Sequence, residues 1–120
     1  MANIETAVNK LQTLFQARNI DTLQTECFAS DVIICGEGAP SLASGKQTIR
    51  EVLGRILEAT PNLSISIFQI QELTPASVST WLQWSCPSDK GPIEFRSLTI
   101  WAKVDDTWKI ISDMYGLGRF

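Results

Sequence analysis

Histidine is absent from this 120-residue chain. That absence removes a Ser-His-Asp triad, a Cys-His pair and every histidine-ligated zinc or iron site. Acid–base chemistry, if present, must rest on Asp, Glu, Tyr, Lys, Arg or Cys. Glycine-rich phosphate loops are missing as well: GEGAPSLASGK has neither the GxxxxGKS/T spacing nor a GxGxxG following a strand. A nucleotide site has no support in the sequence, and no cofactor or metal motif is found. An excess of base is also lacking, since 13 acids against 10 bases leave a net charge of -3. There is no basic field for nucleic acid and no cationic face for anionic lipid. No apolar run is long enough to span a membrane, and the opening MANIETAVNK has neither the basic leader nor the unbroken apolar stretch of a signal peptide. A soluble cytoplasmic protein is the expectation.

What is present fits one folded unit. With 44% hydrophobic and 19% charged residues, the chain can bury a real core as a single domain over residues 1–120. Cys27, Cys35 and Cys86 are odd in number and widely spaced, without a CxxC or metal-ligand pattern. They read as reduced, packed thiols.

The first half carries helical periodicity. Ile4, Ala7, Val8, Leu11, Leu14 and Phe15 mark one apolar face of a helix ending near Arg18, with Glu5 in its first turn. Asn19 and Asp21 are cap-type residues ahead of a short helix carrying Leu23 and Cys27, and Val32 to Cys35 reads as a short strand stopped by Gly36. After the loop GEGAPSLAS, Ser44 and Gln47 have capping-box spacing, and Ile49, Val52, Leu53, Ile56 and Leu57 give the stripe of a third helix ending before Pro61. The period then changes to two. Leu63–Glu72, Ser77–Cys86, Ile93–Val104 and Trp108–Tyr115 read as four strands, separated by TPA, PSDKGP and DDT. Connections this short imply an antiparallel meander, and helices grouped before strands imply an α+β domain.

FASDVII followed by SGKQTIREVL, with RSLTIWAKVDDTWKIISDMYG at the end, resembles the nuclear transport factor 2-like superfamily, in particular its SnoaL-like and ketosteroid-isomerase-like branch. The resemblance covers nearly the whole chain. It implies a cone-shaped, cystatin-like domain: three helices on a strongly curved antiparallel meander sheet, with a mostly apolar cavity open at one end. Such a family includes isomerases, cyclases and dehydratases as well as non-catalytic binding and association domains, so fold does not settle function. The ketosteroid isomerases carry a general-base Asp where Gly36 stands here, with Glu37 next. Their oxyanion hole uses a Tyr in the first helix, which is missing, and an Asp where Thr99 or Ile100 stands. A true ketosteroid isomerase is therefore not expected.

The final stretch WKIISDMYG sets one carboxylate, Asp113, in an apolar strand. If Asp105, Asp106 and Thr107 form a three-residue loop, Val104 faces Trp108 and Asp113 faces Thr99. A two-residue loop instead sets Asp113 opposite Leu98, diagonal to Arg96. Asp-Asp lacks the glycine that the tight turn prefers, which points to the longer loop. In that register Ser97, Thr99, Trp101, Ile111, Asp113 and Tyr115 share one face, joined by Trp84 through alternation along its own strand. The other face holds Leu98, Ile100, Ala102, Val104, Trp108, Ile110 and Met114. Both faces are apolar, and one set of helices covers only one of them. A homodimer packed through the convex face of the sheet is expected, as the family resemblance also implies.

Asp113 has two readings. It is either a structural carboxylate bonded to Thr99, Tyr115 or backbone amides, or a general acid or base whose proton affinity is raised by an apolar cavity. SnoaL-like cyclases, which this stretch resembles, use a last-strand Asp in the second way. Tyr115 is the candidate oxyanion donor beside it. Trp84, Ser97, Thr99 and Trp101 are candidate ligand-binding residues, and Glu37 sits in a glycine-bounded loop at the expected cavity mouth. Two functions remain open: binding of a small apolar molecule without catalysis, or cofactor-independent isomerase, cyclase or lyase chemistry with Asp113 as acid or base.

Overall fold

The structure, a computed structural model, describes residues 2–39 and 41–120. Met1 of the opening MANIETAVNK and Pro40 of the loop GEGAPSLAS lie outside the described residues. Along the rest, the elements follow as α1 (Ala2–Ala17), α2 (Ile20–Cys27), β1 (Phe28–Gly36), α3 (Lys46–Ala59), β2 (Ser64–Thr74), β3 (Ser77–Cys86), β4 (Ile93–Val104) and β5 (Thr107–Leu117).

The strands form one five-stranded sheet in the order β1-β5-β4-β3-β2. From β2 to β5 the pairing is the antiparallel meander that the short connections imply. The early strand joins at the edge, parallel to β5, with Ile34 opposite Asp113 and Gly36 opposite Tyr115. The sheet is therefore mixed. A connection running from β1 through α3 and three strands before its partner arrives has length enough for a parallel pairing.

Helical spacing and strand alternation meet in one core. Ile4, Val8, Leu11 and Phe15 of α1 and Ile49, Val52, Leu53 and Leu57 of α3 are buried against Val78, Leu82 and Trp84 of β3 and Trp101 of β4. The helix ends follow local chemistry. α1 stops where Arg18 turns left-handed at φ 59, and Asn19 caps α2 by accepting a hydrogen bond from the Thr22 amide. The expected capping box of α3 does not form. Its N-cap is Gly45, at φ 87 and without a side-chain cap, because the bridge between Ile34 and Ala43 holds the incoming chain and glycine makes the turn into the helix.

The last hairpin corrects the expected register in an instructive way. Its loop is the two-residue one: Val104 pairs with Thr107, and Asp105 and Asp106 are both left-handed, at φ 50 and 63, the geometry of a type I′ turn. Aspartate tolerates that conformation without glycine. Four residues on, a bulge leaves Ile111 unpaired, since Trp101 opposes Ile110 and Ile100 opposes Ser112. The short loop and the extra residue offset each other, so Asp113 still faces Thr99. Before the bulge the facing is reversed from expectation. Trp108 and Ile110 point inward and are only 8% and 2% exposed. The convex face therefore loses those two, keeps Leu98, Ile100, Ala102, Val104 and Met114, and gains Ile33 and Trp81.

Candidate functional site

β4 and β5 bring the polar groups of the interior together. Thr99 Oγ1 donates a hydrogen bond to Asp113 Oδ1. Ser97, two residues away on the same face, has its Oγ 3.0 Å from Thr99 Oγ1, and Trp84 Nε1 donates to Ser97 Oγ at 2.8 Å. Under α3 the Asp113 side chain borders a cavity of about 20 Å³ lined by Phe15, Phe28, Ile34, Leu53, Ile56, Trp84 and Ile110. That is room for one water-sized group.

Among the described residues no cation compensates this carboxyl. Burial pushes Asp113 from its ordinary 3.8 up to about 6, and the Thr99 hydrogen bond is the one influence pulling it down. Asp113 as a residue is part-buried rather than sealed, and its Oδ2 takes no hydrogen bond from any described residue. It is available to whatever enters the cavity.

Ile56 is also a wall of a wider space of about 360 Å³ at the mouth of the interior, bordered by Arg55, Ala59, Ile93, Phe95, Tyr115 and Leu117, with Glu37 at its edge. Phe95 stacks on Trp84 with ring centres 5.2 Å apart and meets Tyr115 edge-on at 6.2 Å. An aromatic wall thus runs from the mouth toward the deep cavity. The Tyr115 phenol is pushed up by burial and by the charge of Asp113, against a smaller downward pull from Arg55. Gly36 has a steric role beyond ending β1. A Cβ there would lie 2.5 Å from Tyr115 Cζ, so the ring occupies the space that glycine leaves. Glu37 is exposed; its amide donates to the Tyr115 carbonyl at 2.9 Å, and its Oε2 accepts from the Leu117 amide at 3.5 Å.

The expected site residues thus fall into three places. Asp113 and Trp84 line the deep cavity, with Thr99 and Ser97 bonded behind them. Tyr115 and Glu37 stand at the mouth. Trp101 lies outside both spaces: it is 1% exposed, donates to Thr80 Oγ1 at 2.9 Å, and borders a separate recess with Trp108 beside α1. Arg55, Ile56 and Phe95 were not among the expected residues. Arg55 flanks the apolar stripe of α3, three positions after Val52, and only the packing angle of that helix shows that it overlooks the mouth. Among the described residues no group of three or more acidic or cysteine side chains gathers to hold a metal ion. No described helix is long and apolar enough to cross a membrane.

No protein-family model matches the sequence, and no curated protein matches it. Solved structures do. A ketosteroid isomerase-like protein from Erwinia carotovora atroseptica superposes with a TM-score of 0.83 at 18% identity, over 100% of this chain and 97% of its own. An NTF-2 like protein of unknown function from Shewanella oneidensis superposes with a TM-score of 0.77 at 15% identity, over 96% and 97%. The fold is NTF2-like. A protein of unknown function with a cystatin-like fold from Nostoc punctiforme matches this NTF2-like chain with a TM-score of 0.77 at 11% identity, over 98% and 90%. At such identities the likeness is one of architecture, and the NTF2-like fold here serves to place α3 across the concave side of the sheet, with Asp113 beneath it.

Proposed function

We propose that the protein binds a small apolar molecule in the mouth of the NTF2-like interior, with its buried end directed toward Asp113. The observation that carries this reading is the adjoining of two spaces at Ile56, one wide and apolar, the other small and holding a carboxyl with a free oxygen. Tyr115 and Arg55 supply polar contacts at the entrance. The probe for the wide space is 1-anilinonaphthalene-8-sulfonate. Its fluorescence should rise saturably with wild type, and Ala59→Trp, which fills the mouth from an exposed helix position, should weaken binding about tenfold. Equal binding by the two proteins would place the dye elsewhere and defeat the proposal.

A second reading is favoured by the raised proton affinity of Asp113. A carboxyl titrating near neutrality beside an apolar cavity is suited to removing and returning a proton next to a carbonyl, without a cofactor. The Erwinia relative in fold is described as ketosteroid isomerase-like. Exchange of the α-protons of cyclohexanone for deuterium, followed by NMR, should then be accelerated with a midpoint near pH 6 and return to the uncatalysed rate in Asp113→Asn. Exchange that survives the substitution would leave binding as the function.

The convex face supports a homodimer. Ile33, Phe68, Met114 and Phe120 are 41%, 62%, 61% and 41% exposed. Phe120, Phe68 and Trp81 form an aromatic cluster on that side, beside Leu98 and Met114. An exposed apolar patch of this kind is what a second copy covers. Sedimentation at micromolar concentration should give twice the 13.3 kDa chain mass for wild type and the chain mass itself for Met114→Asp. A wild-type chain sedimenting at 13.3 kDa would refute the dimer.

A further inference from the structure

The contacts behind Asp113 have a direction. An indole N–H donates and never accepts, so Trp84 Nε1 fixes Ser97 Oγ as its acceptor at 2.8 Å. Ser97 has one hydroxyl proton, and its remaining polar neighbour is Thr99 Oγ1, 3.0 Å away. Thr99 in turn has one proton, which goes to Asp113 Oδ1. Run the other way, Ser97 Oγ would receive two donors and its own proton would have no acceptor among the described residues. The order Trp84, Ser97, Thr99, Asp113 is the one in which every proton is used. Trp84 lies on β3, Ser97 and Thr99 on β4 and Asp113 on β5, so the chain of donors crosses the sheet on its inner face.

We propose that Trp84 and Ser97 are positioning residues for Asp113: the donor chain they start holds Oδ1 as an acceptor and leaves the exchangeable proton of the carboxyl on Oδ2, for the contents of the cavity to meet. The chain cannot carry that proton away, because it ends in an indole. The inference rests on Asp113 as the acid of the site but not on the identity of any ligand. It also gives the buried end of the ligand a chemical class. Below the carboxyl midpoint Oδ2 donates and suits a carbonyl or ether oxygen; above it Oδ2 accepts and suits a hydroxyl or an acidic C–H.

The test is NMR titration of the Asp113 carboxyl, assigned by its loss in Asp113→Asn, together with the Trp84 indole N–H resonance. Cooperative polarisation along the chain should make Trp84→Phe and Ser97→Ala each raise the proton affinity of Asp113 about twofold, and Thr99→Val, which removes the donor itself, about tenfold. In wild type the Trp84 indole resonance should titrate with the carboxyl, and in Ser97→Ala it should become flat while the carboxyl still titrates. The Trp101 indole, bonded to Thr80 instead, is the internal reference. Trp84→Phe retains a ring to stack on Phe95 but opens space in the cavity wall, so Ser97→Ala, which leaves the lining of that cavity intact, separates the lost hydrogen bond from lost packing. A Trp84 indole that still follows the carboxyl in Ser97→Ala, reporting a direct field from the charge, would overturn the proposal. So would an unchanged carboxyl midpoint in both Trp84→Phe and Ser97→Ala. A wild-type midpoint in the ordinary aspartate range would sink the acid–base reading of the site alone, because the differences between variants test the donor chain separately.

Discussion

Asp113→Asn should gain stability relative to wild type as the pH rises from 4 to 7. The folded-state carboxyl is raised from 3.8 to about 6, so between those values the native protein holds a proton that the unfolded chain has released. Stability from this group is full below the unfolded value and is lost as the pH climbs through the folded one. The difference between the two midpoints corresponds to about 2–3 kcal/mol, the lower figure allowing for the part of Asp113 that solvent reaches. Asparagine cannot ionise, yet it keeps an oxygen to accept the Thr99 hydrogen bond. Urea unfolding of both proteins across this range measures the change, and other carboxylates cancel in the comparison. Glu26, whose pKa is lowered by the hydrogen bond and charge of Lys10, works in the opposite direction in both. If the two stability curves run parallel, Asp113 is not held uncompensated.

Gly36→Ala carries the other large expected effect. The new Cβ would stand 2.5 Å from Tyr115 Cζ and 2.6 Å from the phenol oxygen, so the ring must leave its place. Overpacking of this kind costs about 1–3 kcal/mol. Because Gly36 and Tyr115 are register partners across β1 and β5, neither backbone can retreat without breaking the ladder. Tyr115→Ala alone loses aromatic packing against Phe95. The double variant should be less destabilised than the sum of the two, by a coupling on the order of 1–2 kcal/mol. Additive costs would mean that the glycine is needed for some reason other than the ring. Dye binding at the mouth should weaken in Gly36→Ala as well, since the displaced ring is one of its walls.

Much of this architecture was legible in period and punctuation. β3 and β4 run over the residues that alternation marks, and Asn19 caps the helix it precedes, because both signals are local. The start of α3 was not legible. A capping box at Ser44 is locally sound, but the bridge from Ile34 to Ala43 decides how the chain enters the helix. Nor does alternation reveal β1 as a parallel partner of β5, a pairing between segments far apart in the chain. In the site, Asp113 does face Thr99 as expected, but not for the expected reason: counting assumed a three-residue loop, and the pairing arises instead from a two-residue turn offset by the bulge at Ile111, which no local pattern announces. The mouth residues Arg55 and Ile56 required the position of α3 over the sheet, which no pattern within the helix contains. Trp101 illustrates the reverse: a polar-tipped aromatic on the inner face satisfied its N–H on Thr80 and became core.

The bulge at Ile111 has a consequence for descent. The tight turn at Asp105 and Asp106 by itself sets the phase of β5 that presents Trp108 and Ile110 to the core, and the unpaired residue resets that phase before Asp113. The mutational step that moves this acid between the interior and the outer surface is therefore an insertion or deletion of one codon, with every side chain from Asp113 onward retained. Lineages of this fold that carry and lack an interior acid on the last strand can differ by a change in length, and an alignment that closes the gap would pair residues pointing in opposite directions.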